Sequence, residues 1–106
     1  MAREKFHTLT EQMFYILLAL RQECCGVDIM ERVSTVTEGR VAIGPGTLYS
    51  LLESFADEGY IRETRSEGRR RSYLLTVKGQ LKLEDEYRRI EQQAADYRRF
   101  GKEDTL

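Results

Sequence analysis

The run Gly44-Pro45-Gly46-Thr47 limits the fold more than any other stretch of this chain. Proline has a fixed φ and no N–H, so it can open a helix but cannot continue one. A helix is therefore expected to begin here. Leu48, Leu51, Leu52, Phe55 and Ala56 mark its apolar stripe, and Gly59 is placed to close it as the residue after the C-cap. Two helical patterns precede this one. The first is expected from Leu9 or Thr10 to Gln22, with Thr10 as cap and Glu11 near the positive end of the dipole. Its residues Met13, Phe14, Ile16, Leu17, Leu18 and Leu20 cover more than one face, as in a helix central to a core or shared between subunits. Cys24-Cys25-Gly26 breaks it, and a second helix is expected from about Val27 to about Val36. That helix carries Val27, Met30 and Val33 on one stripe, widened by Ile29 and Val36. Thr37 to Arg40 reads as a turn and Val41-Ala42-Ile43 as a short extended piece. Three helices joined by short turns are the minimum for a helix-turn-helix core.

Beyond Gly59 the period changes. Tyr60 to Thr64 and Ser72 to Thr76 read as two β segments around the polar, glycine-bearing stretch Arg65 to Arg71. That is a hairpin with a basic tip, a wing. A final helix is expected from about Val77 to Phe100, with Leu83, Tyr87, Ile90, Ala94 and Tyr97 in a heptad seam. Such a seam, leaving a domain already complete, calls for a partner helix, so a homodimer is expected. Gly101 to Leu106 reads as a polar tail. The fold class is thus mainly α with a small β-hairpin: a winged helix-turn-helix over residues 1–76, then a C-terminal dimerisation helix and tail over 77–106.

Charge supports a polyanionic partner locally and not globally. The 106 residues carry a net charge of −1. Between Arg62 and Arg71, however, five arginines face two glutamates, a local +3 that leaves −4 for the remainder. Arg69-Arg70-Arg71 is suited to straddle phosphates or enter a minor groove. The third helix offers a separate polar face of Thr47, Tyr49, Ser50, Glu53 and Ser54, able to meet phosphates and base edges near a helix N-terminus. This face holds no arginine or lysine, so a bidentate guanine contact has to come from the wing.

Other classes find little support. The only histidine, His7, has no convincing catalytic partner. The glycines of Gly44-Pro45-Gly46 fit neither phosphate-loop pattern, and no enzyme is expected. Cys24 and Cys25 are adjacent, which rarely meets disulfide geometry, and no second pair exists to complete a zinc site. Neither a metal nor a cofactor is expected. The longest apolar run, Phe14 to Leu20, is a third of a membrane span, and no signal peptide is visible, so a cytoplasmic protein is expected.

Three runs carry a family resemblance. LTEQMFYILLAL (Leu9 to Leu20), GPGTLYSLLESFADEGYI (Gly44 to Ile61) and GRRRSYLLTVKG (Gly68 to Gly79) resemble the PadR family in order and spacing. The resemblance covers roughly residues 8 to 100. The single C-terminal helix is similar to that of the smaller PadR subfamily. The resemblance implies a homodimeric winged helix-turn-helix repressor acting on double-stranded DNA at a palindromic operator. It places Pro45, Gly46, Thr47, Tyr49 and Ser50 at the major groove and Arg69, Arg70 and Arg71 at the flanking backbone. It also implies that the C-terminal helix pairs with helix one of the other subunit, burying Phe14, Leu17, Leu18, Leu83, Tyr87, Ile90 and Tyr97. Members of the family often respond to phenolic acids or hydrophobic drugs, so a small hydrophobic effector is an expectation. The sequence departs from the family in two places. A histidine-glycine-tyrosine run that often opens helix two is replaced by Cys25-Gly26-Val27, and there is no tryptophan to stack a drug. Two other readings stay open at this point: a winged-helix module for an acidic protein partner, and a thiol redox sensor using Cys24 and Cys25.

Overall fold

Thr10 opens the first helix with both of its hydrogen-bonding groups engaged. In the computed structural model, which describes residues 8–103, α1 covers Glu11–Ala19. The Thr10 Oγ1 accepts the Met13 N–H at 3.3 Å, and the Met13 Sδ accepts the Thr10 N–H at 3.5 Å. This is a reciprocal capping box with a thioether in the place of the usual carboxylate. The helix stops at Ala19 and not at the expected Gln22. Leu20 is fully buried, and its carbonyl accepts the Leu75 N–H at 2.8 Å, so the chain leaves the helix to meet the sheet.

Cys24-Cys25 is more than the helix break expected there; it forms a strand, β1 (Cys24–Cys25), paired antiparallel to the second wing strand. Helix α2 (Gly26–Val36) follows at once and turns Gly26, Ile29 and Val33 to the core. The expected stripe is therefore rotated: Val27 and Val36 are 59% and 72% exposed. The helix ends at Thr37, where the Glu38 N–H meets the Thr35 carbonyl and the Gly39 N–H meets the Ser34 carbonyl. This is a Schellman closure, with Glu38 at φ 53° in the position that glycine usually fills. Thr37 is buried. Its Oγ1 donates to the Val33 carbonyl at 2.8 Å and accepts the Val41 N–H at 3.1 Å, which pins the next segment. Val41 to Ile43 makes no strand, but Val41 and Ile43 plug the core between α2 and the next helix.

Helix α3 (Pro45–Asp57) begins as expected, with Gly44 as cap and proline in its first turn. Its end is a second Schellman closure. The Gly59 N–H meets the Ala56 carbonyl at 3.0 Å, and the Tyr60 N–H meets the Phe55 carbonyl at 2.9 Å. Gly59 supplies the required positive φ of 80°. The apolar contact that accompanies this motif is the fully buried ring pair Phe55–Tyr60, with centroids 6.3 Å apart.

The wing consists of β2 (Ile61–Glu67) and β3 (Arg70–Leu75), in a sheet ordered β1-β3-β2. Both strands run further towards the tip than Tyr60–Thr64 and Ser72–Thr76. Glu67 pairs with Arg70, so the connection shrinks to Gly68-Arg69. Of these two only Gly68 has positive φ, the pattern of a type II′ hairpin. Helix α4 (Val77–Glu103) continues three residues past Phe100, so the expected tail is helical as far as residue 103. At 1.5 Å per residue its 27 residues span about 40 Å. The radius of gyration, 16.0 Å, exceeds the roughly 13 Å of a compact chain of this length, because much of α4 projects beyond the core.

The root of α4 is locked to the end of α3. Thr76 Oγ1 donates to the Gly59 carbonyl at 2.6 Å, and the Thr76 N–H donates to the Tyr60 carbonyl at 2.9 Å. Lys78 Nζ donates to the Glu58 carbonyl at 2.6 Å while lying 5.3 Å from the Tyr60 ring centroid. Three successive carbonyls at the terminus of α3 are thereby satisfied by the next element. Gly79 makes this possible: its N–H is capped by Thr76 Oγ1 at 3.1 Å, and its bare Cα abuts the Tyr60 carbonyl.

Candidate nucleic-acid interface

The exposed face of α3 is dictated by its buried one. Leu48, Leu52 and Phe55 point to the core, which leaves Pro45, Gly46, Thr47, Tyr49, Ser50 and Glu53 at the surface. The expected stripe differs at Ala56, which is exposed. No acidic residue lies in the first turn of α3, and no side chain caps it. Its free N–H groups and the positive end of its dipole therefore sit among neutral hydroxyl-bearing residues.

Across from this face stands the wing. Arg69 occupies the turn, while Arg70 and Arg71 are the first residues of β3 and not part of a loop. A register shift between Glu63 and Arg65 leaves Thr64 without a partner opposite, a bulge that adds twist to the hairpin. The Thr64 Oγ1 is buried there without a hydrogen bond. Arg71 lies 3.4 Å from Glu63 in an exposed pair, a contact too weak to withhold the arginine from another anion. The Arg70 guanidinium is held further into its charged form by the Cys25 side chain and, less strongly, by Asp28. An open cleft of about 1040 Å³ separates the two elements. Tyr49, Glu53 and Asp57 of α3 form one wall, Arg69, Arg70 and Arg71 of the wing the other, and Gly26 and Val27 the end.

The residues expected at a subunit contact divide. Tyr87, Ile90 and Tyr97 are exposed on α4, at 53%, 39% and 79%, and Phe14 and Leu18 are half-buried. Leu17 and Leu83 are buried in the core of the single chain, at 0% and 4% exposure. Leu83 falls there because the face of α4 that packs at its root, Gly79, Leu83 and Glu86, is buried, while Tyr87, Ile90 and Tyr97 further along the helix are exposed. Glu86 is buried beside Arg89, whose Nε donates to it at 2.6 Å.

Both cysteines are free and buried. Burial pushes the Cys24 thiol up, with Arg32 opposing more weakly, which works against a reactive thiolate. Cys25 Sγ donates to Asp28 Oδ2 at 3.3 Å. No group of three or more histidine, cysteine or acidic residues that could hold a metal occurs among the described residues, and none of their helices is long and apolar enough to cross a membrane. His7 lies outside the described residues. Two residues of the site are not evident from the sequence. Gly26 lies against the Tyr49 ring, and Cys25 ties the wing to α2 by pairing with Ser72. The signal for Gly26 is its place directly before an apolar stripe; a two-residue strand leaves none.

The model of the transcriptional regulator PadR-like family matches residues 16–85, about two thirds of the sequence and all of the winged core except the start of α1. The chain belongs to the PadR-like family. Solved structures agree on the fold. A transcriptional regulator from Clostridium thermocellum superposes with a TM-score of 0.73 at 22% identity, covering 85% of this chain and 91% of that one. A PadR-like transcription factor from Bacteroides fragilis gives 0.71 at 22% identity, covering 84% and 88%. Bacillus subtilis PadR, solved in complex with operator DNA, gives 0.60 at 28% identity, covering 71% of this chain and 45% of that one. No curated protein matches the sequence. As a PadR-like regulator the chain is placed in a family of transcription factors and not of enzymes.

Proposed function

We propose that this PadR-like protein is a homodimeric repressor that binds a palindromic operator in duplex DNA. One observation carries the reading. Tyr49 of α3 and the three wing arginines line one cleft, and Thr47 and Ser50 are exposed on the same helix. In this reading α3 enters the major groove with Thr47, Tyr49 and Ser50 near base edges and phosphates, and with Pro45 and Gly46 allowing close approach. Arg69, Arg70 and Arg71 follow the flanking backbone. The exposed Tyr87, Ile90 and Tyr97 of α4, with the half-buried Phe14 and Leu18, form the twofold contact. Operator DNA in the crystals of Bacillus subtilis PadR supports the same use of the fold here.

The test is a duplex selected by the wild-type protein from a random pool, with affinity read by fluorescence anisotropy across a salt series. Selected sequences should be inverted repeats with half-sites about one helical turn apart. Tyr49→Ala and Arg70→Ala should each weaken binding about tenfold, the scale of one good contact. Unchanged affinity in both variants would remove the proposal. A reporter driven by the selected site should then be silenced by the protein.

A further inference from the structure

Tyr49 is 49% exposed on a helix face that is otherwise open. Part of its ring lies against the first residue of α2, Gly26. A Cβ built on Gly26 would stand 2.7 Å from the Tyr49 hydroxyl oxygen, 2.9 Å from Cε1 and 3.0 Å from Cζ. Carbon atoms do not approach so closely, so the outer part of the phenol fills the volume where any other residue would put its side chain. Conformational freedom does not explain this glycine, because its φ is not positive. The absence of a side chain does.

Gly26 is itself held firmly. It is buried, and it follows a strand paired to the wing, Cys25 opposite Ser72. Cys25 also lines a small hollow together with Arg70, whose guanidinium it holds further into its charged form. One short junction thus touches the recognition face through Gly26 and the wing through Cys25, and both Tyr49 and Arg70 line the cleft between them.

We propose that Gly26 is a positioning residue for DNA recognition: its bare Cα seats the Tyr49 phenol at a fixed place relative to Arg70, and a side chain there ejects the ring. The inference rests on the DNA-binding reading above and adds a residue that offers nucleic acid no side chain of its own. In this chain the residue after Gly26 is Val27 and not an aromatic residue, so the ring that meets the cleft beside this junction is that of Tyr49.

The test uses four proteins: wild type, Gly26→Ala, Tyr49→Ala and the double variant. Affinity is measured for the duplex selected by the wild type, at one salt concentration. Gly26→Ala should weaken binding about tenfold when Tyr49 is present and less than twofold when it is alanine, the signature of two coupled positions. Nitration of Tyr49 by tetranitromethane, read by peptide mass spectrometry without DNA, should be several-fold faster in Gly26→Ala than in the wild type. An equal loss of affinity in both backgrounds, or an unchanged nitration rate, overturns the proposal. If Gly26→Ala alone does not fold, Gly26→Ala with Tyr49→Leu must fold and bind as well as Tyr49→Leu; failure to do so overturns it too. A wild-type protein that selects no duplex defeats the DNA reading, and nitration then still decides whether Gly26 seats the tyrosine.

Discussion

Replacing Gly79 by alanine separates the intrinsic preference of a helix from the packing of this one. Gly79 lies in the first turn of α4, where the propensity scale favours alanine over glycine by about 0.8–1.0 kcal/mol. The structure predicts the opposite sign. A Cβ at this position would lie 2.1 Å from the Tyr60 carbonyl oxygen, 2.9 Å from its carbonyl carbon and 2.8 Å from Leu75 Cδ1. The first distance is about 1.2 Å short of the roughly 3.3 Å at which carbon and carbonyl oxygen ordinarily meet. Backbone, not a flexible side chain, has to give. Overpacking of this kind costs about 1–3 kcal/mol. The same displacement loosens the 2.9 Å bond from the Thr76 N–H to the Tyr60 carbonyl, for about 1–3 kcal/mol more if that carbonyl is left without its partner. After the propensity gain is subtracted, the net loss is about 1–5 kcal/mol. At about 4 °C per kcal/mol for a chain of this size, Tm should fall by roughly 4–20 °C. Circular dichroism melts at 222 nm would measure this, at one fixed protein concentration because oligomers melt in a concentration-dependent way. Gly101→Ala is the control, since a Cβ there meets nothing within 4 Å and should hold or raise Tm. A Gly79→Ala protein as stable as the wild type would falsify the packing argument.

Other perturbations test other parts of the structure. Tyr87→Glu with Ile90→Glu places charges on the exposed stripe of α4 without touching the core, and should yield a folded monomer by analytical ultracentrifugation. Converting Arg69, Arg70 and Arg71 together to alanine should flatten the dependence of log K on log salt by about 0.9 for each phosphate that is no longer neutralised; an unchanged slope would take the wing off the DNA. Thr37→Val keeps the shape but removes the acceptor for the Val41 N–H, and should cost about 1–3 kcal/mol in urea unfolding. Burial raises the Cys24 thiol pKa in the folded state, so folding favours its neutral form. The associated stability is complete below the unfolded thiol value near 8.5 and is lost as pH climbs through the folded value, a decline that Cys24→Ala should lessen.

The elements that announce themselves in the sequence are those governed by neighbours in the chain. Thr10 caps α1, Gly44-Pro45 opens α3, and Gly59 closes it, because each acts within a few residues of itself. What stays hidden depends on distant partners. Two residues cannot display a period, so Cys24–Cys25 becomes a strand only because Tyr73 and Ser72 lie beside it. The wing strands are longer than their sequence suggests because their outer halves are exposed on both faces and alternate nothing. Val27, Ile29, Met30, Val33 and Val36 offer more apolar positions than one helix face can bury, and the neighbours of α2, not its sequence, select Ile29 and Val33. In the interface the polar face of α3 and the arginine run are both legible. Their separation across a cleft is not, nor is the glycine against which Tyr49 rests.

The carbonyls of Glu58, Gly59 and Tyr60 have a mechanical consequence when they receive Lys78 and Thr76. They bond the rod that protrudes from the domain directly to the end of the helix whose open face borders the wing. A rotation of α4 about its root has either to carry the end of α3 with it or to break these three bonds.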